Sequence, residues 1–75
     1  MTDAQMIETA AERMVRVADV LARVARVHAR VAGMVAENMQ REQCRESMAY
    51  DELAFDQVVI DEGAGFNAVT ATLQG

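Results

Sequence analysis

The stretch that decides the fold spans residues 17–36 and reads VADVLARVARVHARVAGMVA. Its bulky residues recur at alternating steps of four and three, and its alanines repeat the same rhythm one position later. At about 100° per residue the two rows lie side by side on one helix, and arginines take the remaining circumference. The bulky row comprises Val17, Leu21, Val24, His28, Val31 and Val35, and the alanine row comprises Ala18, Ala22, Ala25, Ala29, Ala32 and Ala36. One neighbour cannot cover two adjacent apolar rows, so the pattern predicts helix-on-helix assembly, with both rows as interface residues.

This helix is predicted to run from about residue 3 to at least residue 36. Thr2 and Gln5 fit a capping box at its start. The sequence allows two arrangements beyond residue 36. Gly33 and Asn38 permit a break near 33–40, whereas the lack of proline allows one helix to about residue 62. The expected fold class is all-α, as a long amphipathic helix or a helical hairpin with coiled-coil-like seams.

Residues 63–75 are predicted to form an extended C-terminal arm, separate from the helical region of residues 1–62. Gly63 and Gly65 end the helix, and the threonine- and valine-containing segment after them lacks helical spacing and favours extended backbone. A hairpin that pairs residues 58–60 with 69–73 is the alternative. The apolar side chains of the arm are expected to be buried against another subunit; they are Phe66, Val69 and Leu73.

Charge is divided along the 75-residue chain, whose net charge is -5 at pH 7. Residues 13–30 carry five arginines and one aspartate, whereas residues 46–62 carry six acidic residues and neither arginine nor lysine. Complementary charge favours laying the second stretch antiparallel on the first, within a protomer or between protomers. A chain this short buries only roughly 60% of its unfolded surface, so self-association is the expected route to stability.

The residue types give little support to catalysis, metal binding or a cofactor. His28 and Cys44 are the single histidine and cysteine, and on one continuous helix they would lie about 24 Å apart. The acidic pairs at 51–52 and 61–62 have no histidine close in sequence and are typical of solvated faces. The row of arginines on this helix suggests nucleic-acid binding as a function, but the acidic net charge and the scarcity of aromatic residues argue against it. No segment reaches the roughly 20 apolar residues of a membrane span.

These observations predict a non-enzymatic, self-associating helical protein that serves as a structural subunit or adaptor of a larger assembly. A virion or tail component, a ring or a filament would suit such a chain. The alternative is a small regulatory binding module that inhibits or recruits one protein partner. The lone cysteine and the lack of a secretion signal favour the cytoplasm, or a particle assembled there.

Overall fold

A computed structural model describes residues 9–75, which form three helices and no strand. Helix α1 spans Ala10–Gln43, α2 spans Glu52–Asp61 and α3 spans Phe66–Gln74. Both short helices pack on α1 and run antiparallel to it, so the chain is a helical hairpin whose second arm bends at residues 62–65. The all-α prediction is confirmed, and of the two arrangements left open the hairpin is the one that the chain adopts.

Helix α1 begins at Ala10 with a side-chain cap at Thr9, so the predicted unbroken helix from about residue 3 does not continue through Thr9. Thr9 has extended backbone, and its Oγ1 accepts a hydrogen bond of 3.1 Å from the Glu12 amide. Glu12 also places a negative charge beside the positive end of the helix dipole. The capping box predicted at Thr2 and Gln5 lies outside the described residues.

Helix α1 ends later than the predicted break near 33–40. Gly33 lies inside the helix and costs about 1 kcal/mol there relative to alanine, which the flanking turns tolerate. The helix closes instead in a Schellman motif, in which the Arg45 amide donates to Glu42 O at 3.0 Å and the Glu46 amide donates to Arg41 O at 2.8 Å. Arg45 has φ 57°, a left-handed conformation that glycine usually supplies.

The Asn38 side chain holds the connection between the two arms by three hydrogen bonds. Its Oδ1 accepts hydrogen bonds from the Ala49 and Tyr50 amides, both at 3.0 Å, and its Nδ2 donates to Tyr50 O at 2.9 Å. A hydrogen bond to the Glu37 carboxylate raises the pKa of the Tyr50 phenol above its ordinary value, since ionisation would place two negative charges together. One helical side chain therefore sets the path of the returning backbone.

The second arm takes its shape from local caps. Asp51 caps α2 by accepting a 2.9 Å hydrogen bond at Oδ1 from the Ala54 amide. At the other end Gly63 adopts φ 67°, and the amides of Gly63 and Ala64 donate to carbonyls of the last turn at 3.0 Å. Gly63 thus ends α2 as predicted, because a side chain at that φ is strained.

The C-terminal segment is helical, which contradicts the expected extended arm. Val69 and Thr72 are three residues apart and both half-buried where α3 packs on α1. The Arg23 guanidinium joins the two elements, donating to Thr72 Oγ1 at 2.8 Å and to Gly63 O at 3.2 Å. Tertiary packing outweighs the weak extended preference of threonine and valine here.

The core is a thin seam between the two arms. Within residues 9–75 only Met34 and Val58 are buried apolar residues, at 9% and 2% exposure. The apolar side chains of α1 that face the second arm form a stripe, which we call the inner stripe: Val20, Val24, Val27, Val31 and Met34.

Ion pairs fix how the arms align. Arg26 Nε donates to Glu62 Oε2 at 2.9 Å, and Arg30 Nη1 donates to Glu62 Oε1 at 3.3 Å. The hydrogen bond from Arg26, reinforced by Arg30, holds the pKa of Glu62 below its ordinary value. The predicted pairing of the basic stretch with the acidic stretch is confirmed, and it occurs within one protomer.

Candidate functional site

Helix α1 carries a second apolar surface that no other part of the described chain covers. Its central row recurs at steps of four and three, the spacing of a coiled-coil seam. The members of this row are Met14, Ala18, Leu21, Ala25, His28, Ala32, Val35 and Met39, and all eight are exposed. We call this surface the outer face.

The outer face is as wide as an apolar stripe that normally points into a core. At about 100° per residue, every α1 residue within about 60° of its centre is uncharged. Helices that pack on one neighbour have an apolar stripe of about 100° or more facing that neighbour. Helix α1 has the inner stripe for this purpose, and the outer face lies about 110° further round the helix.

The predicted bulky row divides between these two surfaces. Val24 and Val31 are half-buried in the inner stripe, against the second arm. The other four residues point outward and are exposed: Val17, Leu21, His28 and Val35. The bulky row does not form one interface, because a third apolar row, formed by Val20, Val27 and Met34, takes the centre of the intramolecular seam.

The predicted alanine row lies wholly outside the intramolecular packing. Its members are exposed along the outer face and its margin: Ala18, Ala22, Ala25, Ala29, Ala32 and Ala36. Alanines let helix axes approach to the lower end of the usual range of about 8 to 10 Å. The row is therefore available for close contact with another helix.

The three interface residues predicted in the tail have different surroundings. Val69 is half-buried against α1, whereas Phe66 and Leu73 are exposed. Phe66 opens α3 and is 84% exposed. These two side chains are separate from the outer face, since they belong to the opposite arm.

A groove adjoins the C-terminal end of the outer face. It has a volume of about 530 Å³ and lies between the last turns of α1 and the connection to α2. Val35, Met39 and Met48 supply its apolar lining, with Glu42 and Arg45 at its rim. Methionine side chains are flexible enough to adapt to an inserted group.

The residues that suggested nucleic-acid binding, metal binding or catalysis are the arginines of α1, the acidic pairs, and His28 with Cys44. Arg23, Arg26 and Arg30 each donate to an acceptor within the chain. One acceptor of Arg23 is Asp19, whose Oδ2 lies 2.9 Å from Arg23 Nη2. In residues 9–75 no three acidic, histidine or cysteine side chains are grouped so as to hold a metal ion. His28 and Cys44 belong to the same arm, sixteen positions apart, or about 24 Å along the helix axis.

Within residues 9–75, no helix has both the length and the apolarity that crossing a membrane requires. Comparison with known protein families, with curated proteins and with solved structures finds no match. The outer face and its adjoining groove are therefore the candidate interaction site of the described residues.

Proposed function

We propose that this protein is a self-associating helical subunit that contributes a structural or adaptor role to a larger assembly, such as a ring, a filament or a virion component. The observation that carries the proposal is the outer face, an uncharged surface that follows α1 for about 38 Å between Met14 and Met39. Contiguous exposed apolar surface of this extent marks interaction sites in soluble proteins.

The amount of exposed surface supports the same proposal. The chain exposes 5915 Å², whereas a compact monomer of 8.2 kDa is expected to expose about 4,500 Å². The excess is larger than the roughly 800 Å² that each partner contributes to an interface of standard size. Association of the outer face would cover much of this excess.

The shape of the chain gives the physical reason for this excess. Its radius of gyration is 18.0 Å, against about 11 Å for a compact domain of this length. A hairpin of single helices has one thin seam, and seams with two buried apolar residues leave a monomer marginally stable. Packing a second copy on the outer face would give α1 apolar contacts on both sides.

The molar mass of the full chain in solution tests this proposal. At about 100 µM we expect at least twice the 8.2 kDa of one chain by sedimentation equilibrium, with dissociation on dilution, as mass action requires for a reversible complex. A chain that stays at 8.2 kDa throughout would contradict self-association, and would leave the regulatory binding module as the better account.

A further inference from the structure

We propose that the partner of the outer face is a second copy of this chain, whose α1 runs antiparallel in a register where facing residue numbers add to 57. This inference rests on the proposed self-association and specifies its geometry. It gives a closed two-fold dimer, in which each contact occurs twice.

The order of large and small side chains along the face is compatible with this register. It sets Ala25 opposite Ala32, and it sets Leu21 opposite Ala36. The same register sets Met39 opposite Ala18 and His28 opposite Ala29. Apart from Met14, each larger residue of the row then faces an alanine, so that facing layers interdigitate and the helix axes stay close along most of their length.

A parallel pair in register would pack less well. Leu21 would face Leu21 and Ala25 would face Ala25, so wide layers would alternate with narrow ones. The wide layers would set the separation of the helices and leave gaps at the alanines, and cavities of this kind are destabilising. The sequence of the face thus distinguishes the two orientations.

The groove gives an independent reason for the antiparallel orientation. Met14 is an apolar side chain that is 71% exposed near the start of α1, whereas the groove lies at the opposite end of the same face. The register places Met14 of the second copy opposite Gln43, about one helical turn from Met39 in the groove lining. The two-fold axis fills both grooves at once, whereas a parallel pair would bring groove against groove.

Disulfide trapping tests the register. In a Cys44→Ser background, which removes the exposed native thiol, we would prepare the single variants Ala25→Cys and Ala32→Cys. A disulfide needs Cα atoms within about 7 Å, and in this register residue 25 of one copy meets that limit with residue 32 of the other, but not with residue 25. Under mild oxidation we expect little cross-linking of either variant alone. In an equimolar mixture, random exchange of subunits makes about half of the dimers mixed. Cross-linking of the mixture should therefore reach up to about half of its dimers.

The other outcomes separate this inference from the proposed function. Cross-linking of each variant alone would establish a parallel pair and overturn the inference. A background chain of dimeric mass with no cross-linking in any sample would also overturn it, while leaving self-association standing. A background chain that is monomeric by sedimentation would overturn both. Circular dichroism checks that the variants keep the helix content of the background chain.

Discussion

Replacing Asn38 with alanine is expected to loosen the hairpin. The substitution removes the acceptor of the Ala49 and Tyr50 amides and the donor to Tyr50 O, three hydrogen bonds that hold the connection against α1. The Tyr50 amide and carbonyl are partly buried, and leaving such groups without partners costs roughly 1 to 3 kcal/mol. That is a large share of the stability of so small a chain. We expect the urea midpoint, followed by circular dichroism, to fall clearly with little change in slope.

Two variants serve as controls for the Asn38 prediction. Asn38→Asp keeps an oxygen acceptor for the two amides but replaces the donor to Tyr50 O with a carboxylate oxygen that repels it. A smaller loss than that of Asn38→Ala would therefore assign most of the stabilisation to the acceptor. Asn67→Ala makes the same chemical change at an exposed position of α3 and should leave the midpoint almost unchanged. Equal midpoints for Asn38→Ala and Asn67→Ala would show that the three Asn38 hydrogen bonds do not stabilise the fold.

Truncation after Glu62 is the second change with a large expected effect. It removes α3 and with it both long-range acceptors of Arg23, Gly63 O and Thr72 Oγ1, together with the half-buried Val69. The N-terminal half of α1 then loses its partner arm. Because isolated helices depend on tertiary packing, we expect the truncated chain to lose more helicity than the nine residues of α3 account for, and to melt at a lower temperature.

A shorter truncation provides the control for this experiment. Ending the chain after Leu73 removes only Gln74 and Gly75, which contribute no acceptor to Arg23, and should leave helicity and melting nearly unchanged. If truncation after Glu62 lowered the ellipticity only by the share of α3 and left the melting temperature unchanged, α3 would be independent of α1.

The sequence predicts the long helix and the pairing of its charges, but not which side of the helix faces inward. Spacing alone reports that apolar rows exist, and α1 has three of them within about 180°. Val20, Val27 and Met34 belong to the inner stripe because the second arm returns along that side of α1, a tertiary choice that local periodicity does not encode.

The termini of the elements show the same division between local and tertiary information. The sequence-based capping box at Thr2 and Gln5 missed the start of α1, which Thr9 caps at Glu12, whereas Gly63 ends α2 as its position in the sequence predicts. The helical state of residues 66–74 could not be predicted from spacing, because its half-buried residues, Val69, Thr70 and Thr72, are too few to establish a helical period. Such a helix depends on the surface of α1 beneath it.

The central claim is that copies of this chain associate through the outer face, and a matched pair of leucine variants tests it most directly. Leu21 is 62% exposed on that face, and Leu53 is 75% exposed on α2. Leu21→Glu would place a carboxylate in the apolar contact of each copy, and should weaken association by at least about 100-fold with helix content retained.

The measurement is the dissociation constant from sedimentation equilibrium for the native chain and both variants. The account predicts that Leu53→Glu associates like the native chain, whereas Leu21→Glu stays near 8.2 kDa at concentrations where the native chain is oligomeric. Association of Leu21→Glu with unchanged affinity would place the interface elsewhere on the molecule and contradict the account.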